Sequence, residues 1–187
     1  MKVKITLAAV IIVGIFSFLL DSIAASFASA VQNPLLTYIM GWFTNLSSMV
    51  IVLVIMTSLF LWEERKKKWI KIVLLSFIAS AAVSFILKIA IARPRPEYAS
   101  FVLTQYAFPS MHAALAFSLI PVLDKEFPKL KWFWITFAFL VAISRLYFGV
   151  HYLSDVVWGA IFGYSIGTLM VMLQDKKVLE KWTKKLH

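Results

Sequence analysis

The fold is decided by residues 35–62, LLTYIMGWFTNLSSMVIVLVIMTSLFLW, which contain no Asp, Glu, Lys or Arg. A transmembrane helix needs about 20 predominantly apolar residues, so this stretch is long enough to cross a bilayer. The whole chain has the same character, because 61% of its 187 residues are hydrophobic and only 15% are charged. A soluble domain of this length cannot bury so much apolar surface. The composition therefore excludes a freely soluble globular protein and predicts an integral membrane protein.

Five further apolar runs are separated by charged or polar segments. They cover approximately residues 5–30, 72–92, 109–123, 132–148 and 152–174. We therefore expect an all-α fold, a bundle of six transmembrane helices that forms a single domain over residues 1–187. A signal peptide ending at Ala30 is the alternative for the first run, since Ala28-Ser29-Ala30 resembles a cleavage site. The chain has no cysteine, which excludes disulfides, thiolate metal sites and cysteine nucleophiles.

The basic residues decide the expected orientation. Lys and Arg together number 19 against 9 Asp and Glu, which gives a formal net charge of +10, and basic loops are retained on the cytoplasmic side. The N-terminus, the 65–71 loop, the 125–131 loop and the C-terminal tail lie on one side of a six-helix bundle and carry most of this charge. We expect that side to be cytoplasmic. The 93–108 loop and the 149–151 turn then lie on the extracytoplasmic side of the cell membrane.

A first polar cluster begins in the last turns of the third run. Lys88 is followed after six residues by Arg95 and Pro96. Pro94 and Pro96 end the helix. Lys88 therefore lies on the helix, whereas Arg95 lies on an extended segment that can fold back over it, and two such cations suit a phosphate group. The alternative is a basic anchor at the membrane interface, and we assign that role to Arg93.

A second polar cluster, Pro109-Ser110-Met111-His112, opens the fourth run. The N-terminus of a helix presents unpaired amides and a positive dipole to an anion. His112 in the first turn can donate a proton to a leaving group, and Ser110 can bind the anion. The alternatives are that Ser110 is a helix N-cap and that His112 only makes hydrogen bonds at the membrane interface.

A third polar cluster joins the last two runs and contains Ser144, Arg145, Gly149, His151 and Asp155. His151 and Asp155 are four residues apart, which places both on one face of a helix. A carboxylate that accepts one imidazole N–H fixes the tautomer and leaves the other nitrogen free as a nucleophile. Gly149 permits the tight turn that brings Arg145 close to His151. The alternative is a purely structural hydrogen bond between the two side chains.

Together the three clusters fit a phosphoryl-transfer site. His151 attacks phosphorus, Asp155 stabilises the imidazolium, and His112 protonates the departing oxygen. The charge of the transferred group is held by hydroxyl and cationic groups, namely Ser110, Lys88, Arg95 and Arg145. We expect no metal ion, because the cations would repel it and Asp155 is the only acid in the clusters.

The motifs Lys88-x6-Arg95-Pro96, Pro109-Ser110-x-His112 and Ser144-Arg145-x5-His151-x3-Asp155 resemble the three signatures of the type 2 phosphatidic acid phosphatase superfamily of integral-membrane lipid phosphatases. The resemblance covers a motif core over residues 88–155 and, through the six-helix plan, nearly the whole chain. It implies a phosphohistidine intermediate on His151, an acid at His112 and no metal or other cofactor. Met111 stands where the second signature usually has Gly, a difference that bears on substrate preference more than on reaction type.

The expected function is hydrolysis of the terminal phosphate of a membrane lipid phosphate or diphosphate in the outer leaflet. A polyprenyl diphosphate is favoured, because short loops leave only a small headgroup pocket, with phosphatidylglycerophosphate and phosphatidate as further candidates. The expected partners are this lipid and the bilayer, with no nucleic acid, and the sequence leaves the oligomeric state open. The alternatives are a lipid phosphotransferase that uses the same site, an anion transporter lined by intramembrane cations, and a membrane scaffold.

Overall fold

The computed structural model describes residues 2–96 and 106–175, and these residues fold into helices with no strand among them. The all-α prediction is therefore confirmed for the described residues. The helices are α1 (Lys2–Phe16), α2 (Asp21–Ala30), α3 (Pro34–Thr44), α4 (Leu46–Val50), α5 (Thr57–Glu63), α6 (Lys67–Ile91), α7 (Met111–Glu126), α8 (Lys131–Tyr147) and α9 (Leu153–Gln174). A 3₁₀ turn joins α1 to α2, and a π-helical turn joins α4 to α5.

Five segments within the described ranges are long and apolar enough to cross a membrane. They are Ala8–Ala30, Leu46–Glu63, Lys67–Ile91, Pro128–Tyr147 and Leu153–Gln174. The fourth predicted run forms α7, which has 16 residues and extends roughly 24 Å at about 1.5 Å per residue. That is shorter than the hydrocarbon core of a bilayer, about 30 Å. Six membrane crossings therefore stay a prediction.

The uncharged stretch 35–62 is not one continuous helix. Asn45 adopts an extended conformation, with ψ 121°, between α3 and α4. Its side-chain oxygen accepts hydrogen bonds from the amides of Ser47 and Ser48 at 2.8 and 3.3 Å. Asparagine is a preferred N-cap because its side chain replaces the missing backbone acceptor. A helix therefore starts in the middle of the stretch, and the candidate span begins at Leu46.

Helix α7 lies at the centre of the bundle, where it packs against α6, α8 and α9. Its closest neighbour is α9, which turns Gly159, Gly163 and Gly167 toward it. A Cβ atom at any of these glycines would lie less than 3 Å from the backbone of the α7 segment. Small residues at every fourth position let the backbones of two membrane helices approach closely. The contact therefore fixes the N-terminal turn of α7 against the N-terminal turn of α9.

Candidate active site

The structure brings the predicted site residues together at one end of the bundle. They lie at the C-terminal ends of α6 and α8, at the N-terminal ends of α7 and α9, and in the connecting segments. They are Lys88, Arg95, Ser110, His112, Arg145, His151 and Asp155. Four of them, Lys88, Ser110, His151 and Asp155, are buried. Helix packing thus converts three motifs distant in sequence into one cluster.

His151 and Asp155 meet, but not on one face of a helix as predicted. Helix α9 begins at Leu153, so His151 precedes it and Asp155 is its third residue. The Asp155 carboxylate caps the helix by accepting a hydrogen bond from the amide of Tyr152 at 2.9 Å. The same oxygen, Oδ2, lies 3.5 Å from His151 Nδ1. A capping box, rather than helical spacing, therefore holds the carboxylate beside the imidazole.

Two arginines border the other side of the imidazole. The Nη1 atom of Arg95 donates a hydrogen bond to the carbonyl of Val150 at 2.6 Å and lies 3.5 Å from His151 Nε2. Arg145 is anchored from α3, because its Nη1 donates to both the carbonyl and the hydroxyl of Thr44. Both guanidinium groups are therefore held by acceptors on neighbouring segments, with Arg95 next to the nitrogen that faces away from Asp155.

Lys88 is buried and holds the 106–109 segment against α6. Its ammonium donates hydrogen bonds to the carbonyls of Tyr106, Ala107 and Pro109 at 2.8, 3.2 and 3.3 Å. The three donors of an ammonium group match these three acceptors. Lys88 thus contributes positive charge to the site and fixes the segment that leads into α7.

Three buried polar atoms in the site have no hydrogen-bond partner among the described residues. They are Ser110 Oγ, Arg145 Nε and His151 Nδ1. Ser110 occupies the N-cap position of α7, yet its hydroxyl makes no capping hydrogen bond. Buried polar groups are normally paired. His151 Nδ1 faces Asp155, whereas the Ser110 hydroxyl and Arg145 Nε are unpaired donors that fit an anion with several oxygen acceptors. This arrangement suits a phosphate group.

The surroundings of His151 favour its neutral form. Burial, followed by the positive charges of Arg145, Arg95 and Lys88, lowers the pKa of His151 well below its usual value, while the Ala107 carbonyl acts weakly in the opposite direction. A neutral imidazole has a free electron pair, which a nucleophile requires. The site therefore keeps His151 in the form that can attack phosphorus at neutral pH.

Arg93 and Asp21 also belong to the site, although neither was predicted to. Arg93, expected to be an interfacial anchor, donates hydrogen bonds to Asp155 Oδ1 at 2.7 Å and to Ser154 Oγ at 2.6 Å. Its other terminal nitrogen donates to Asp21 Oδ2 at 2.7 Å. Ala92 precedes it with φ 49° and ψ 33°, ends α6 and redirects the chain toward α9. The signal available in the sequence was Asp21, the lone acid in the first apolar run.

The chain is similar in sequence to known proteins. Residues 69–179 match the sequence profile of the PAP2 superfamily. Phosphatidylglycerophosphatase B of Bacillus subtilis (strain 168) is 32% identical over 167 residues, which cover 82% of this chain and 80% of the relative. An undecaprenyl-diphosphatase of Sulfolobus acidocaldarius is 30% identical over 135 residues, 67% of this chain and 65% of the relative.

A solved structure extends the likeness to the fold. The crystal structure of a transmembrane PAP2-type phosphatidylglycerolphosphate phosphatase from Bacillus subtilis matches with a TM-score of 0.75 and 25% identity, covering 90% of this chain and 96% of that chain. The matched residues 69–179 contain all three motifs. The resemblance to the type 2 phosphatidic acid phosphatases is thereby confirmed, and the chain belongs to the PAP2 superfamily.

Proposed function

We propose that this protein hydrolyses the terminal phosphate of a membrane lipid phosphate or diphosphate through a phosphohistidine on His151, without a metal ion. One observation carries the proposal: a buried imidazole lies between the Asp155 carboxylate and the Arg95 guanidinium, 3.5 Å from each. The two relatives described above, phosphatidylglycerophosphatase B and the undecaprenyl-diphosphatase, are phosphatases by name. The cations that surround the imidazole supply the charge that a metal ion would otherwise provide.

In the first step, His151 Nε2 attacks phosphorus, because Nδ1 faces Asp155 and Nε2 faces Arg95. The new P–N bond forms as the bond between phosphorus and the lipid oxygen breaks. His112, in the first turn of α7, gives its proton to that oxygen. Asp155 stabilises the imidazolium, and the unpaired donors of Ser110 and Arg145 bind the phosphoryl oxygens.

In the second step, water attacks the phosphohistidine. His112, now neutral, accepts the proton from the water as the P–N bond breaks, and inorganic phosphate leaves. A phosphotransferase would use a lipid hydroxyl in place of this water. The two activities share every residue named here and differ in the acceptor alone.

The cavities beside the site support a lipid substrate. A cavity of about 440 Å³ reaches His151, which is a volume suited to a small polar headgroup. Next to it, a cavity of about 510 Å³ is lined only by apolar side chains of α1, α7, α8 and α9. Leu146 and Leu153 line both. We propose that the first cavity receives the headgroup and the second one hydrocarbon chain, which favours a single-chain lipid such as a polyprenyl diphosphate.

The ion pairs at the other end of the bundle support the proposed orientation. Lys66 lies 3.5 Å from Glu126, and Lys131 lies 3.0 Å from Asp124. These pairs occupy the ends of α6 and α7 that are remote from the site, and basic segments favour the cytoplasmic side. The site then opens toward the outer leaflet.

The proposal is tested by phosphate release and by trapping of the intermediate. Purified protein in detergent is offered polyprenyl diphosphate, phosphatidylglycerophosphate and phosphatidate, each with excess chelator, and the phosphorylated residue is identified after an acid-free quench. We expect release in chelator and a phosphohistidine on His151. Loss of activity in chelator that magnesium restores, or phosphate uptake by proteoliposomes without lipid hydrolysis, would overturn it.

Orientation has its own test. The chain contains no cysteine, so a cysteine introduced at Ser100, which lies outside the described residues, is the sole target of a membrane-impermeant thiol reagent. We expect labelling in intact cells. Labelling that requires opened cells would place the reaction at the cytoplasmic leaflet.

A further inference from the structure

We propose that Asp21 and Arg93 form a charged chain that positions Asp155, and through it His151, for the reaction. The inference rests on the proposed function of His151. Neither residue is a motif position. Asp21 lines the 440 Å³ cavity, but its carboxylate oxygens accept hydrogen bonds from Arg93 and Ser154, so it reaches His151 through these partners. Both are therefore positioning residues.

The chain of contacts is continuous from α2 to α9. The Arg93 guanidinium spans the two carboxylates, 2.7 Å from Asp21 Oδ2 at one end and 2.7 Å from Asp155 Oδ1 at the other. Ser154 closes the ring, because its amide donates to Asp21 Oδ1 at 2.8 Å and its hydroxyl donates to Asp21 Oδ2 at 2.7 Å. The N-terminal turn of α9 is thus tied to the first membrane segment.

The guanidinium is also fixed in its plane. Its central carbon lies 4.1 Å from the ring centre of Tyr152 and 5.2 Å from that of Phe18. A guanidinium held between aromatic rings keeps a single orientation, so its two ends point at defined acceptors. Arg93 therefore directs a fixed donor at Asp155.

Asp155 needs this donor. The side chain is fully buried, and a buried carboxylate is stable only when it is paired and hydrogen-bonded. Arg93 engages Oδ1 while the Tyr152 amide engages Oδ2, which prevents rotation of the carboxylate and leaves Oδ2 facing His151 Nδ1. Without Arg93, the carboxylate loses one of these two restraints.

Asp21 makes the net charge of the Asp21–Arg93–Asp155 network negative. Charged residues within membrane segments are costly and are usually paired and functional. The carboxylates of Asp21 and Asp155 together outweigh the single charge of Arg93, so the chain presents net negative charge to His151. The other charged or titratable groups around His151 are Lys88 from α6, Arg95 after it, His112 from α7 and Arg145 from α8.

Arg93 and Asp21 therefore have opposite electrostatic effects on His151. Removing the positive charge of Arg93 makes protonation of the imidazole easier. Removing the negative charge of Asp21 makes it harder. A merely structural role would damage the protein without this difference in sign.

The test compares Arg93→Gln, Arg93→Lys and Asp21→Asn, with Asp124→Asn as the matched control, because Asp124 pairs with Lys131 at the remote end. The rate constant kcat, KM and the acid limb of the pH profile are measured on one lipid substrate. For Arg93→Gln we expect kcat to fall by up to about a hundredfold with a small change in KM, and the acid limb to move to higher pH. For Asp21→Asn we expect a smaller fall and a shift to lower pH.

Arg93→Lys should restore part of kcat, and Asp124→Asn should resemble the wild type. The proposal is overturned if the two charge-removing variants leave kcat unchanged, or if they shift the acid limb in the same direction or not at all. If Arg93→Gln does not elute as folded protein, Asp21→Asn decides alone: a lower kcat with the acid limb at lower pH supports the proposal, and an unchanged kcat, or an acid limb that stays or moves to higher pH, overturns it. A failure of the phosphohistidine mechanism is seen separately, since phosphate release would then persist in a His151→Ala variant.

Discussion

Helix α9 packs against α7 and, among other neighbours, against the first membrane segment, and these two interfaces are built in different ways. Toward α7, Gly159, Gly163 and Gly167 bring backbone against backbone. Toward the first membrane segment, the contacts are few: Trp158 Nε1 donates to the Gly14 carbonyl at 3.1 Å, and Ser154 bonds to Asp21. An apolar cavity lies beside this second interface. The close interface fixes the N-terminal turns of α7 and α9 against each other, whereas the open one borders the apolar cavity.

The difference extends to the whole first membrane segment. In the 18-residue apolar stretch of Ala8–Ala30, only 11% of the residues are buried inside the protein, against 39% in the corresponding stretch of Pro128–Tyr147. The early helices reach the site through polar contacts at one end, among them Asp21 to Arg93 and Thr44 to Arg145. The early helices therefore contact the candidate site through charge and hydrogen bonds, while its residues lie on α6 to α9 and their connecting segments.

The largest effect is expected where the close interface holds the reacting groups. His151→Ala removes the nucleophile and should reduce kcat to the background rate, whereas Asp155→Asn should retain a trace, roughly 10⁴-fold below the wild type, through a misoriented imidazole. Single-turnover phosphate release from one lipid substrate measures both. Similar losses in the two variants would mean that Asp155 does more than orient His151, and full activity of His151→Ala would contradict the mechanism.

Matched glycine substitutions compare the two interfaces of α9 directly. Alanine at Gly163 places a methyl group against the α7 backbone, which cannot yield, while at Gly14 it meets only the Trp158 side chain. Gly41 is the control, because nothing lies within 4 Å of a Cβ there. We expect Gly163→Ala to cost about 1–3 kcal/mol of stability and to lower kcat, since the α7 and α9 turns separate.

Gly14→Ala should cost less than Gly163→Ala, and Gly41→Ala should be neutral or slightly stabilising, because alanine favours a helix over glycine by about 1 kcal/mol. Thermal unfolding in detergent ranks the three variants. Equal losses of stability for Gly163→Ala and Gly14→Ala would show that the two interfaces do not differ in how closely they are packed.

Much of this arrangement is visible in the sequence because it depends on local patterns. The apolar runs predict the helices, and each motif abuts the end of a run, so bundle packing alone brings Lys88, His112 and His151 together. The spacing of Gly159, Gly163 and Gly167 was also available as a pattern of small residues at every fourth position.

The remaining features depend on contacts between distant segments. Arg93 resembles any interfacial arginine until its partners Asp21 and Asp155 are known, and these lie 72 and 62 residues away. The helix start at Asn45 was missed because hydropathy does not register a capping side chain. The predicted pairing of His151 and Asp155 on one helix face is wrong for the same reason. Helix α9 begins at Leu153, two residues after His151, so Asp155 caps the helix and meets His151 from that position.

The pH profile of the activity tests how burial and the neighbouring cations affect the pKa of His151. Burial and the positive charges of Arg145, Arg95 and Lys88 lower the pKa of His151 well below its usual value, which is near 6.5. The reactive form is the neutral one, which predominates above the pKa, so activity should persist as the pH falls through 6.5. The acid limb of kcat/KM reports this value for the free enzyme.

Two substrates whose phosphate groups titrate at different pH separate the ionisation of the enzyme from that of the substrate. We expect the same acid limb with both, below pH 6.5. A half-maximal rate at pH 6.5 or above would show that the cations do not govern His151.

The smallest effect is expected at the open interface. Ala160 lines the apolar cavity between α1 and α9, and Ala160→Phe would fill part of the space assigned to the hydrocarbon chain. Each displaced methylene loses about 0.8 kcal/mol of burial, equivalent to about a fourfold change in KM. KM should therefore rise for a long-chain lipid phosphate and stay constant for a short-chain, water-soluble analogue, with kcat unchanged.

Ala82→Phe is the matched control, because Ala82 lies on the exposed face of α6 and lines neither cavity. If both variants respond alike to chain length, the cavity holds bulk lipid, and the open interface has no part in substrate selection.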